Sequence, residues 1–407
     1  MRKLLSLLLF ASLPALAADE LHLYNWNDYI APESVKSFEA QCKCKVVQDF
    51  YGDNEELVAK LAAGAKGYDV LVPTSNYVAG MAKAGWLQPL DKSKLPNFKN
   101  LMPTYLNTEF DPGNKYSVPY AMSITLIGYN DLKMKELGIT VDSWAVIFDP
   151  KILQKIKGKV TVLDSQAEVL AAALKYLGYS VNDRDPAHWQ QARDVILKAK
   201  PYWAAFMAQG YIKELSTGNM WVVHGYSNDI FQADTGAQEA KQKFRIRHAL
   251  PKEGAVLALD AMVIAKGAPR PDLAHKFINF MLEGKNSAAL TNITGSGNPN
   301  NEALQFIKPE IKSIKAVFPD ADSAKRLEQL KDMNKKERQL LNKIWTEIKA
   351  KSAAPASSAG WRGVPAISRY RLPAGRRCPP SASCRFPKEI GAPADPSACR
   401  LVPAHAG

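Results

Sequence analysis

The sequence predicts an α/β fold of two lobes, and three features carry that reading. Short apolar strands alternate with amphipathic helices along most of the chain. Two long extended stretches, at 116–130 and 256–264, are placed to carry the chain out of one lobe and back. A last helix ends near residue 351, where periodicity disappears. With 407 residues, 46% of them hydrophobic, the chain can bury a large core and suits two or three domains.

Each element has a local reason. Leu21 and Leu23 alternate with polar neighbours, so 21–25 reads as a half-buried strand, and Pro32 opens the helix that follows. Asp53 and Glu56 have the spacing of a capping box, Leu57, Val58, Leu61 and Ala62 form an apolar face, and Gly64 closes that helix. Residues 70–72 form a continuous apolar run, as in a parallel strand covered on both faces, and Pro73 ends it. Further on, 160–163 is a strand, 167–177 a helix stopped by Gly178, 188–200 a second helix, and 220–223 a strand followed by a loop at 224–229. Residues 244–248 and a Pro-Lys-Glu-Gly turn lead into the return stretch. A helix follows at 272–282, and Leu340, Leu341, Ile344, Trp345 and Ile348 keep helical spacing to the end. These patterns define two α/β lobes without saying which segment belongs to which.

The chain begins Met-Arg-Lys, continues through an apolar run from Leu4 to Leu13 too short to span a bilayer, and reaches Ala15-Leu16-Ala17. This is the pattern of a secretory signal peptide over residues 1–17. No cysteine follows where a lipid anchor would need one. At the other end, residues 352–407 contain nine prolines and seven arginines and cannot bury enough surface to offset chain ordering. They read as a disordered basic tail, and a change of reading frame would produce such a composition; the rival reading is a tether to anionic envelope surface. The tail carries +6 of the net +13, and Arg2 with Lys3 carry +2, so the body holds +5 on scattered helix faces. That distribution argues against a nucleic-acid partner. Of the five cysteines, Cys42 and Cys44 would point to opposite faces if they lay in one strand, so the expectation is no disulfide between them. No zinc-ligand spacing accompanies them.

Chemistry concentrates in Tyr24-Asn25-Trp26-Asn27-Asp28-Tyr29 at the end of the first strand. Two ring types beside a carboxylate at a strand's carboxyl end suit a buried organic cation, since the carboxylate offsets desolvation and ring faces attract positive charge. The same residues also suit a surface turn backed by core aromatics. Asp260, inside an otherwise apolar strand, demands a partner or a ligand.

This stretch, with Ile30-Ala31-Pro32 after it, resembles the opening of the periplasmic polyamine-binding subunits of bacterial ABC importers, the putrescine- and spermidine-binding proteins. The resemblance continues through Tyr68-Asp69-Val70-Leu71-Val72-Pro73, Pro89-Leu-Asp-Lys-Ser-Lys-Leu-Pro96, Ser117-Val-Pro-Tyr120, Pro251-Lys-Glu-Gly254 and Phe280-Met-Leu282, covering roughly residues 20–350. It implies a type II two-lobe solute-binding fold with discontinuous lobes joined by two extended crossings. One lobe would comprise 18–127 with 262–310, the other 128–261 with 311–351. It also implies a ligand between the lobes and carries Trp26, Asn27, Asp28, Tyr29, Asn76, Glu168, Tyr226, Asp229 and Asp260 into the site. The implied partners are a polyamine, with a lean to putrescine, and an inner-membrane permease. The protein would act as a periplasmic monomer without cofactor. Three departures thin the family's ring cage: Ala258 stands where relatives often have an aromatic, Ser296 where they have Tyr, and Met122 where they have Trp.

Glu168 also suits a carboxylate favoured by a helix N-terminus. Paired carboxylates in a cleft can serve acid-base catalysis, although His22, His188, His224, His248, His275 and His405 show no metal-type spacing, and no nucleophile-elbow or phosphate-loop motif occurs. Binding of another amine or an amino acid, or a sensor role, would use the same fold.

Overall fold

The computed structural model of the protein describes residues 19–350, apart from 53 and 209. The leader, the basic tail and the Asp53 member of the capping box lie outside the described residues.

Alternation builds the first strand as expected. β1 (Asp19–Trp26) buries Leu21 and Leu23 and pairs in parallel with β2 (Cys44–Tyr51), Asp19 opposite Cys44 through Trp26 opposite Tyr51. Its other edge takes β3 (Val70–Leu71), with Leu23 opposite Val70. The two long extended stretches become β4 (Ser117–Asn130) and β9 (Ala255–Ile264). They pair antiparallel with each other, while β9 also pairs with β3 and β4 with β7 (Val222–Tyr226). β5 (Val160–Val162) and β6 (Ala205–Phe206) extend the far side, β8 (Ile246–Ala249) pairs with β4, and β10 (Leu327–Glu328) with β9. The strand order is therefore β2-β1-β3-β9-β4-β7-β5-β6.

Hydrophobic packing divides what the sheet joins. Leu21, Leu23, Val70, Val118, Tyr120, Met262, Ile264 and the Pro271–Met281 helix share one core. Ile124, Leu126, Ile127, Val160, Val222, Ala255 and the helices Gln166–Tyr176, Pro186–Ala199 and Lys335–Ala350 share another. β4 thus leaves one core and enters the other within a few residues, beside a register shift between Pro119 and Ala121. The fold is α/β with two lobes joined by extended crossings. A third, irregular passage follows the Gly284–Thr294 helix: Gly297 bridges Met122, and Ala316 joins the second core.

Two local expectations are corrected. Cys42 and Cys44 are disulfide-bonded, with Cα atoms 5.2 Å apart. The premise of a shared strand fails, because Cys42 ends the Pro32–Cys42 helix and Lys43 turns through the left-handed region at φ 54° before Cys44 starts β2. Residues 224–229 are not a loop: β7 runs to Tyr226, and Ser227 starts the Ser227–Glu239 helix at once.

Candidate functional site

Removing a carboxylate from water costs several kcal/mol unless charge or hydrogen bonds replace the lost hydration. Glu168, Asp229 and Asp260 are pushed up by burial without a cation to offset it.

Asp260 lies on β9 opposite Ala121 and is 7% exposed. The Tyr29 hydroxyl donates to one of its oxygens at 2.8 Å and the Thr74 hydroxyl to the other at 2.8 Å. Burial pushes its carboxyl up to about 6, and the two hydroxyls only partly offset this. Tyr29 is aimed by its own loop. Asp28 adopts φ 53°, a conformation Asp tolerates better than most residues, and the Tyr29 carbonyl accepts from the Asn25 amide at 3.1 Å and the Tyr120 hydroxyl at 2.8 Å. A ring wall stands beside it. The Trp26 indole N–H donates to the Val72 carbonyl at 2.8 Å, the Tyr51 hydroxyl donates to the same oxygen, and the Trp26 and Tyr51 rings are 4.7 Å apart.

Glu168 sits in the first turn of the Gln166–Tyr176 helix and is 8% exposed. Its Oε2 has no hydrogen-bond partner. Burial raises its carboxyl to about 7; the Thr125 hydroxyl beside it favours the ionised form without reaching hydrogen-bond geometry. Burial thus outweighs whatever the helix N-terminus contributes. Asp229 occupies the first turn of the Ser227–Glu239 helix, accepts from the Tyr211 hydroxyl and from the Asn228 amide at 3.0 Å, and is likewise raised by burial. Tyr211 can reach it because residue 225 is glycine: a Cβ there would stand 2.6 Å from the Tyr211 ring.

Tyr226 ends β7 opposite Thr125, and its hydroxyl is pushed far up, first by burial and then by Glu168, Asp229, Asp260 and Glu55. Carboxylates from the return strand and from two helices of the second core therefore bear on one ring. None of Glu168, Asp229 and Asp260 has a cation among the causes of its shift.

The predicted set is thus brought together unevenly. Asp260 takes the Tyr29 hydroxyl, and Asp260, Glu168 and Asp229 each act on the Tyr226 hydroxyl, while Trp26 packs against Tyr51. Asn27 and Asp28 are exposed, and the Asn27 amide donates to Asp28 at 2.7 Å. Asn76 is half-buried in the first turn of the Ser75–Lys83 helix. The sequence reading missed Tyr51, Thr74 and Tyr211. Thr74 directly follows the Pro73 that ends a strand and so had a positional signal. Tyr51 becomes visible only through its register opposite Trp26, and Tyr211 through no local pattern at all.

Two α/β lobes joined by paired extended crossings are the architecture of a solute-binding protein. The chain belongs to the bacterial extracellular solute-binding protein family, whose sequence pattern it matches over residues 33–319. It is 55% identical to the putrescine/cadaverine-binding protein of Pseudomonas aeruginosa, over 86% of this chain and 99% of that one. It is 36% identical to the putrescine-binding periplasmic protein PotF of Escherichia coli, over 84% and 95%. The spermidine/putrescine ABC transporter substrate-binding protein PotD of Streptococcus pneumoniae superposes with a TM-score of 0.73 at 30% identity, covering 82% of this chain and 99% of that one. These are solute-binding components of transporters, not a family of enzymes.

Proposed function

We propose that the protein is the periplasmic polyamine-binding subunit of an ABC importer, with putrescine its favoured solute over spermidine. It captures the amine between the lobes and presents it to an inner-membrane permease, acting as a monomer and without catalysis. The lobe boundaries at 18–127 with 262–310 and 128–261 with 311–351 belong to this reading, as do the site roles that follow.

One observation carries it: Glu168, Asp229 and Asp260, all withdrawn from water, act on the Tyr226 hydroxyl without a Lys or Arg beside them, Asp260 being held by Tyr29 and Thr74 of the first lobe, Asp229 by Tyr211 and Asn228, and Glu168 keeping an unpartnered oxygen. Such a cluster is costly in a protein alone and is repaired by an incoming cation. In this reading Asp260 takes one ammonium, Glu168 with Asp229 takes the other, and Tyr29, Tyr51 and Tyr226 supply ring faces. Because the amine touches both lobes, its binding favours the closed arrangement the permease would recognise. The names of the relatives support the same solute class. Affinity has a ceiling: a four-carbon diamine has six heavy atoms, and about −1.5 kcal/mol per atom gives roughly −9 kcal/mol, a sub-micromolar dissociation constant at best.

A thermal-shift panel at pH 8 tests this reading. Putrescine, cadaverine and spermidine are expected to raise the melting temperature of the purified protein, while lysine and arginine leave it unchanged. A shift with the amino acids alone would transfer the fold to a different solute class.

A further inference from the structure

A helix that presents a carboxylate to a ligand can spoil it with its own lysine. Glu168 and Lys175 stand seven residues apart on the Gln166–Tyr176 helix, two turns along one face. Helix side chains lean toward the N-terminus, so a Lys175 side chain released to lie along its own helix would carry its ammonium back toward Glu168. The two side chains line one tight, nearly filled crevice, together with Thr125 and His224. Lysine closing on Glu168 there would act as an internal rival for a ligand ammonium.

The ammonium is taken elsewhere. Lys175 Nζ lies 2.9 Å from Glu328 Oε1, and their side chains are only 13% and 29% exposed, so solvent screens this pair less than a surface one. Glu328 is itself fixed. It belongs to β10, paired opposite Val256 on β9, and it accepts from the Ser180 hydroxyl and, at 3.4 Å, from the Val181 N–H. The next residue ties the same strap to the other lobe, where the Ser75 hydroxyl donates to Gln329 Oε1 at 2.9 Å. Across the crevice, both nitrogens of buried His224 lack partners and burial pushes its pKa down to about 3, so that ring brings no positive charge to Glu168. Glu168 keeps an unpartnered oxygen.

From this geometry we infer that Glu328 is a positioning residue: it draws Lys175 away from Glu168 and so reserves that carboxylate for the ammonium of the ligand. The inference rests on the polyamine-binding reading for its consequence, but the rivalry between Lys175 and Glu168 is testable without any amine.

In full-length Glu328→Gln, putrescine affinity measured by calorimetry is expected to fall at least about tenfold, because glutamine cannot hold the lysine charge. Glu328→Gln with Lys175→Met is expected to regain most of the loss, and Lys175→Met alone to bind at least as tightly as the parent protein. A purely structural role for the strap would leave the double variant as weak as the single one, and that result overturns the proposal, as does unchanged affinity in Glu328→Gln. The amine-free readout is the carboxyl carbon of Glu168 followed by NMR. Its titration is expected to move to lower pH in Glu328→Gln and to return in the double variant. An unmoved titration overturns the positioning role even if the protein binds no polyamine, whereas parent protein that ignores polyamines while Glu168 shifts as expected overturns only the functional reading.

Discussion

Asp260→Ala is expected to weaken diamine binding by at least about 2 kcal/mol, roughly thirtyfold. The magnitude follows from where the carboxylate sits. It is buried on a strand whose neighbours are mostly apolar, so an ammonium that loses it is stranded in a poorly solvated place rather than returned to water. The substitution also removes the common acceptor of the Tyr29 and Thr74 hydroxyls, loosening a ring of the proposed cage. Asp260→Asn separates the two effects. The amide oxygen keeps one hydroxyl partner but carries no charge, so affinity should fall almost as far while the fold is disturbed less. Calorimetry with putrescine checks both variants, and an unchanged dissociation constant in either would remove Asp260 from the site.

The second large effect is on pH. Without amine, burial holds Asp260 near 6 and Glu168 near 7, each above the range of an exposed carboxyl. For a carboxyl raised in the folded state, the folded protein binds more protons than the unfolded one between the unfolded and folded pKa values, so stability falls as pH rises through that window. The amine-free protein should therefore lose stability between about pH 4 and pH 8. Amine binding runs the other way, since an ammonium needs the ionised carboxylates. If both must lose a proton, affinity rises on the order of 100-fold between pH 5.5 and pH 8, and binding near pH 6 releases protons to the buffer. Titrations in two buffers of different ionisation enthalpy count those protons. Affinity that is flat over this range would mean that Asp260 and Glu168 are already ionised or do not meet the amine.

Much of the fold was legible because burial leaves a period in the sequence. The alternation of Leu21 and Leu23, the apolar run at 70–72 and the two long extended stretches all became strands where expected. What failed was chemistry that period does not encode. A disulfide across Lys43 depends on one left-handed residue between a helix end and a strand start, and nothing in Cys-Lys-Cys announces that turn. The switch from strand to helix after Tyr226 was hidden because Ser227, Asn228 and Asp229 are loop formers and N-terminal helix residues alike.

The site was legible as residue types more than as geometry. An Asp inside an apolar strand signalled that something must answer its charge, and the structure answers with two hydroxyls, one from a position the sequence had flagged. Tyr211 could not be found, because it reaches Asp229 across a glycine on a neighbouring strand, a contact that exists only once β7 is in place. Asp28 was singled out by proximity to aromatic residues in sequence, but its carboxylate is exposed and bonded to its neighbour Asn27.

The most direct measurement is the crystal structure of the protein grown with putrescine. The account requires one ammonium within hydrogen-bond distance of Asp260 and the other beside Glu168 or Asp229, with the Tyr226 ring against the carbon chain between them. A diamine bound away from these carboxylates, or crystals in which Asp260 keeps only Tyr29 and Thr74 at saturating putrescine, would contradict it.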